Sequence, residues 1–373
     1  MIDLKNQNCP FVNFNQRISF KFDGKKYHGY KGDTIASALF RNGIKLIGRS
    51  FKYHRPRGIY TCGIEEPNAL VQIISEYSEP NARATVKKIY EGMEVESQNR
   101  WPSLDFDVGS INNILSPFFS AGFYYKTFMG PHKSFWKKIY EPVIRKAAGL
   151  GKPPKEFKAI SSHLHHNVDI VIVGGGLNGL LAASSLIDSN YDVLLVESDS
   201  QLGGVLSNSS KINEIDGKNP QDWLKETIEN IEKSKNIKIL KNTLLTTYNY
   251  INHLIAIEDK YVGAKPADDK VNSTLHKIRT DQVILSNGHI ERFLSFQNND
   301  LPGIMLGASF EKYVCRYGVI PSKEPVIFSN NSNSNSLLQS LLQLDIKPKA
   351  YVDSRSGEQI ESELFDLIRK NDI

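Results

Sequence analysis

A chain of 373 residues with 40% hydrophobic and 23% charged residues has the make-up of a globular protein of two or three domains, which excludes a disordered, collagenous or disulfide-scaffold chain. Its net charge of only +5 requires no polyanionic partner, so nucleic-acid binding is not expected. Three cysteines, Cys9, Cys62 and Cys315, provide neither a disulfide framework nor a CxxC pair, and the opening "MIDLKNQNCP" carries no apolar run of a secretory signal, so a cytoplasmic setting is expected.

Residues 17 to 30, "RISFKFDGKKYHGY", alternate in polarity on both sides of Asp23-Gly24 and predict a hairpin. "GDTIASALFRNG" predicts a helix with Asp33 as its cap, Ile35, Ala38 and Leu39 as its apolar stripe and Gly43 just past its end. A further strand is expected at 68–74, "NALVQII". Hairpin, helix and strand open a β-grasp domain, ubiquitin-like or ferredoxin-like, placed at 15–95. Many such domains hold a [2Fe–2S] cluster on four thiolates in the loop after the helix. Here that loop carries Cys62 alone, so no cluster is expected and Cys62 reads as a packed thiol. The same loop contains "GRSFKYHRPRG", which interleaves Arg49, Lys52, Arg55 and Arg57 with Phe51, Tyr53 and His54.

Residues 96–167 read as an aromatic-rich connector of short helices and loops that ends in a polar linker, "KEFKAISSHLHHN". Its His163, His165 and His166 lack the cysteine or carboxylate companions of a metal site. The stretch 170–187, "IVIVGGGLNGLLAASSLI", approaches membrane-span length, but its glycines, asparagine and serines make it strand, turn and helix, so no membrane is expected.

That stretch opens the third segment, 168–373, read as a Rossmann-type dinucleotide-binding domain. A strand over 169–173 leads into Gly174, Gly176 and Gly179, a helix is expected over about 178–189, and "DVLLVE" ends on Glu197. Gly174 permits the tight turn, Gly176 the approach of a pyrophosphate, Gly179 close helix–strand packing, and the helix N-terminus supplies positive charge. Glu197 stands where a carboxylate accepts ribose hydroxyls and opposes a 2′-phosphate, favouring NAD or FAD over NADP. Gly175 and Asn178, within the same turn, join the candidate contacts; Leu177 and Asn178 stand where flavoprotein versions often have Pro-Ala. Ser286 and Gly288, in "ILSNGHI", sit where a returning turn meets the nucleotide. "GKNPQDWLKETIENIEKSKNIKIL" predicts another helix and strand. A last βαβ unit runs from "EPVIFSN" to Asp353; its connecting turn lacks the glycine code, and the domain reads as incomplete, the front part of a longer protein.

"GRSFKYHRPRGIYTCGIEEPNALVQI", "NRWPSLDFDVGSINNILSPFFSAGFYYKTFM", "EPVIRKAAGLG", the glycine fingerprint and "NNDLPGIMLG" together resemble the alpha subunits of heterotetrameric sarcosine oxidases over nearly the whole chain. The resemblance implies a fold of α/β plus α+β class, with a ferredoxin-like β-grasp domain without an iron–sulfur cluster followed by a Rossmann-type FAD/NAD(P)-binding domain. A C-terminal folate-binding domain of the family has no counterpart here. The implied reaction is oxidative demethylation of sarcosine with oxygen to glycine and hydrogen peroxide, the one-carbon unit passing to tetrahydrofolate. Implied partners are beta, gamma and delta subunits, with FAD on the beta subunit and FMN near the alpha–beta interface. Gly174, Gly176, Gly179 and Glu197 are then expected to contact NAD, with FAD as the alternative, and no catalytic residue is assigned to this chain. Arg49, Lys52, Arg55 and Arg57 are expected either to meet a flavin phosphate or partner carboxylates, or to form an internal ion-pair loop. Two other readings stay open: a subunit of a related opine or proline dehydrogenase, and a non-catalytic nucleotide-binding scaffold.

Overall fold

Asp23 and Gly24 both adopt positive φ, 49° and 77°, the conformation of a type I′ turn, whose twist matches that of the strands it joins. It links β1 (Asn13–Phe22) and β2 (Lys25–Lys31) into an antiparallel hairpin. The structure is a computed structural model and describes residues 9, 11–74, 78–118, 132–142, 144, 151–152, 160–207, 214–265, 270–357, 360 and 362–373. Two compact units emerge, the first built mainly from Phe11–Phe157 and Arg292–Ser322, the second from Lys158–Glu291 and Lys323–Ile373.

In the first unit the hairpin leads into α1 (Ile35–Arg41), a ribbon of β3 (Gly48–Arg49) and β4 (Pro56–Arg57), then β5 (Leu70–Ile74), β6 (Glu79–Arg83) and β7 (Met93–Ser97). The sheet order is β2-β1-β7-β5-β6, with β1 and β7 parallel at its centre. Ile35, Ala38 and Leu39 of α1 are fully buried with Phe20, Val71 and Val95 of the sheet, which is the β-grasp arrangement.

The cap of α1 is Thr34, not Asp33. Thr34 and Ser37 form a reciprocal capping box, which releases Asp33 for a buried role. Its carboxylate accepts from Ser37 Oγ (2.7 Å), Tyr30 N (2.9 Å) and, in a bidentate contact, Arg41 Nε and Nη2 (both 3.1 Å). Gly43, at φ 83°, sits just past the helix as expected.

The connector forms short helical turns at Val108–Ser110, Ile111–Ile114, Ser116–Phe118, Lys133–Phe135 and Trp136–Tyr140; the expectations for 119–131 and 145–150 lie outside the described residues. The polar linker expected up to Asn167 is corrected from its described part onward. Ile160–Val173 is one strand, β8, because its polar residues have partners on a neighbouring strand: Ser162 Oγ lies 2.8 Å from Thr274 Oγ1, and His166 Nε2 lies 2.9 Å from His276 Nδ1.

β8 is followed by α2 (Leu177–Ser185), β9 (Val193–Val196), α3 (Pro220–Lys233), β10 (Ile237–Leu240), β11 (Thr243–Asn249), β12 (His253–Asp259) and β13 (Val271–Leu285). The order is β10-β9-β8-β13-β12-β11. The first four strands run parallel, and β12 and β11 are antiparallel additions. α2 stops short of residue 189, and the Asn236 side chain donates to the carbonyls of Leu186 and Tyr191 (both 2.9 Å), satisfying backbone beyond the helix end. Trp223, Leu224 and Ile231 of α3 share a core with Leu180 and Ala183 of α2.

Residues 292–322 belong to the first unit rather than to the Rossmann domain that was expected to run on to 373. The cause is α4 (Gly307–Tyr317): Tyr313 is fully buried, its hydroxyl donates to Thr61 O (2.9 Å), and its ring stands edge-on to Phe40 with centroids 5.0 Å apart. The last βαβ unit is present as β14 (Val326–Ser329), α5 (Asn333–Gln343) and β15 (Ala350–Asp353), with β14 and β15 parallel, followed by α6 (Ser362–Lys370).

Replacing one member of a buried ion pair strands the other without solvent. Arg41→Met is therefore expected to destabilise the chain by about 3–5 kcal/mol in urea unfolding; a loss below about 1 kcal/mol would show that the Asp33–Arg41 contact is not a buried pair.

Candidate functional site

The carboxyl ends of three adjacent parallel strands, β9, β8 and β13, meet at one place, with β8 in the middle. Gly174 N donates to Val196 O and Ser286 N to Val173 O, both at 2.8 Å. Gly174, Gly175, Gly176, Asn178, Gly179, Glu197, Ser286 and Gly288 are thereby drawn from three chain segments into one end of the sheet.

Each glycine has a separate requirement. Gly174 takes φ 100°, and a Cβ there would lie 2.4 Å from Ser286 O. A Cβ on Gly175 would strike Leu202 Cδ2 at 2.4 Å, and one on Gly179 would lie 1.8 Å from Gly174 O. Gly176 differs: its nearest neighbour would be Gly204 Cα at 3.9 Å, so its missing side chain leaves a hollow. Gly176 is also the N-cap of α2 and makes no side-chain cap, leaving the helix's first N–H groups for an anion. Asn178 is exposed in that first turn, and Gly288, at φ 72°, has open space around its Cβ position.

Glu197 is not simply a ribose acceptor. Its Oε2 accepts from Gly175 N (2.7 Å), and its Oε1 from Asp199 N (2.7 Å) and Ser198 Oγ (3.1 Å). A carboxylate has about four lone-pair sites, so one remains for a ligand hydroxyl. Sequence reasoning passed over Gly203 and Gly204, at φ 119° and 54°. Gly203 N donates to Gly175 O (2.8 Å), and a Cβ on Gly204 would lie 2.9 Å from Gly176 Cα. The signal was the Gly-Gly doublet shortly after the second strand. These features fit the pyrophosphate and ribose of a dinucleotide.

A [2Fe–2S] cluster does not fit the first unit. Cys62 is buried, its thiol pushed up to about 11 chiefly by desolvation, and the whole chain holds only three cysteines. The loop is organised instead by the buried carboxylate of Glu66. Its Oε2 accepts from Tyr60 N (3.0 Å), Thr61 N (2.7 Å) and Thr61 Oγ1 (3.0 Å), its Oε1 from Asn68 N (2.8 Å) and Ala69 N (3.0 Å). Convergent N–H groups that an anionic cluster could satisfy are thus taken by one side chain.

The basic loop is held within its own unit. Arg55 grips Asp300 with two hydrogen bonds, Nε to Oδ2 (2.7 Å) and Nη2 to Oδ1 (2.8 Å), and Arg57 pairs with the same carboxylate. The two guanidinium groups hold Asp300 well below the usual carboxylate range. Arg49 donates to Leu104 O (2.6 and 3.0 Å), and Lys52 Nζ lies 4.9 Å from the Tyr53 ring centroid. His54, at φ 53°, places Nδ1 2.6 Å from Asp107 Oδ2. Asp300 thus serves two arginines at once.

A β-grasp domain followed by a Rossmann-type NAD(P)/FAD-binding unit is the fold of a dinucleotide-dependent oxidoreductase. The 2Fe-2S iron-sulfur cluster binding domain model matches residues 15–100, and the NAD(P)-binding Rossmann-like domain model residues 172–227. Over 94% of its length the chain is 42% identical to sarcosine oxidase subunit alpha of Rhizobium meliloti (strain 1021), and over 88% it is 27% identical to that of Corynebacterium sp. (strain U-96). The chain is thus a relative of sarcosine oxidase alpha subunits, spanning 36% and 30% of those two proteins. L-proline dehydrogenase from P. horikoshii shares the fold, with a TM-score of 0.61 and 19% identity over 92% of this chain and 55% of that one.

Glu66→Gln puts an amide NH2 against converging N–H donors. It is expected to cost about 1–3 kcal/mol in thermal or urea unfolding; unchanged stability would mean that the carboxylate does not hold the loop.

Proposed function

We propose that this chain is the dinucleotide-binding, alpha-type subunit of an amine oxidoreductase of the sarcosine oxidase kind. The observation that carries the reading is the Gly174–Gly179 turn, with its hollow at Gly176 and its brace at Glu197, in a chain related to sarcosine oxidase alpha subunits almost throughout. The bound group is NAD or FAD rather than NADP, since Glu197 opposes a 2′-phosphate at the ribose. It supplies a ring that accepts a hydride.

This chain's residues do the holding. The N–H groups at the start of α2 receive the pyrophosphate, Gly176 leaves it room while Gly204 packs against the Gly176 backbone, and the last acceptor position of Glu197 takes a ribose hydroxyl. Oxidation of an N-methyl amino acid such as sarcosine, delivery of electrons to oxygen and capture of the one-carbon unit by tetrahydrofolate are assigned to the assembled complex. In that complex, beta, gamma and delta-type subunits bring further flavin. The loop that carries Arg49, Lys52, Arg55 and Arg57 is assigned to docking partner carboxylates or a flavin phosphate, which planar guanidinium groups suit. Among the described residues no helix is long and apolar enough to cross a membrane.

Two glycine variants separate binding from folding. Gly176→Ala is expected to keep the wild-type melting temperature and weaken dinucleotide binding, measured by calorimetry, by roughly tenfold or more. Gly179→Ala forces α2 off β8 and is expected to lose about 1–3 kcal/mol of stability. Undiminished affinity in Gly176→Ala would place the nucleotide elsewhere.

A further inference from the structure

We propose that His166, His276 and Glu258 form an acid-sensitive latch across three neighbouring strands of the second unit, which stays closed with one added proton and opens with two. Opening it loosens the pairing of β8 with β13, the strands that lead into Gly174 and Ser286.

The contacts run in series. His276 Nε2 lies 3.0 Å from Glu258 Oε2, and His276 Nδ1 lies 2.9 Å from His166 Nε2. They join β12, β13 and β8, whose register puts Ala256 opposite His276 and Ile278 opposite His166. The His276 side chain is only 2% exposed, so water cannot replace a lost contact.

Hydrogen-bond direction is fixed from one end. Lys260 Nζ sits 2.6 Å from Glu258 Oε1, and a carboxylate paired with an ammonium group accepts hydrogen bonds without donating one. His276 must then carry its proton on Nε2. Its Nδ1 is bare and must accept, so His166 carries its proton on Nε2 and keeps a bare Nδ1.

A first proton enters at His166 Nδ1 and breaks nothing; shifting the bridging proton to His276 instead sets an imidazolium against Glu258, again with every contact kept. A second proton leaves two N–H groups facing each other between two cations. Glu258 brings a single negative charge and already pairs with Lys260, and Lys238 on β10 and His165 on β8 oppose charge on His166. His166 is already held below the ordinary histidine range, first by burial and then by Lys238, His276 and His165. With a folded-state value below the unfolded one, its stabilising contribution is full above the ordinary histidine range and lost as pH falls through the folded value.

Nitrogen-15 NMR of the full chain at about pH 7.5 should show the Nε2–H tautomer on both rings. Hydrogen exchange, corrected for intrinsic rates, should show protection at 160–168 and 271–280 falling roughly fivefold by about pH 5, the equivalent of one net hydrogen bond. His166→Gln donates to His276 Nδ1 when that nitrogen is bare and turns its carbonyl toward it when protonated, so its protection should stay flat over the same range. An Nδ1–H tautomer on His276 in the wild type, or a parallel loss of protection in His166→Gln, would overturn the latch.

Discussion

The proposed nucleotide site depends on how closely one helix can approach one turn. With no side chain at 179, the first turn of α2 lies against the carbonyl of Gly174, where a Cβ would stand at 1.8 Å. That contact aims the helix N-terminus along the turn leaving β8 and sets the hollow at Gly176. Ser286 closes over Gly174 because Gly174 itself has no side chain, and Gly204 meets the Gly176 backbone for the same reason. Had the helix started farther out, the same glycines would form a loose loop with no anion position.

Buried carboxylates hold the irregular parts of both units. Glu197 ties the glycine turn through Gly175 N, and Glu66 gathers five donors in the loop after α1. Asp107 accepts from Trp101 N (2.9 Å) and Gly109 N (3.2 Å) while orienting His54. Loops cannot pair their N–H groups in a ladder, and a two-oxygen acceptor satisfies several at once. In the first unit this allows a β-grasp loop to keep its shape on a single residue where a metal-binding relative needs four thiolates.

Much of this was readable because local rules and tertiary structure agree. The Asp23-Gly24 hairpin, the β8–α2–β9 unit and the last βαβ unit each carry turn residues, periodicity and caps that point the same way. The glycine turn was legible since Gly174 and Gly179 answer steric demands that their spacing in the chain reveals. Three features were hidden because their causes lie far away in sequence. Asp33 looked like a cap until Arg41 and the Thr34–Ser37 box gave it another role. Ser161 to His166 looked like a linker because the partners that make them a strand lie more than a hundred residues on. Asp300 could not be matched with Arg55 and Arg57 from spacing, so the basic loop showed its charge but not its counter-charge. Gly203-Gly204 was visible as a doublet and lacked only a reason to be read with Gly176.

Identifying what the purified full chain retains tests the central claim most directly. Mass spectrometry of small molecules released from it, after incubation with excess NAD or FAD and removal of the free compound, should find one dinucleotide per chain. A chain that emerges free of both would contradict a dinucleotide site at the Gly174–Gly179 turn, leaving a Rossmann-type fold without its ligand.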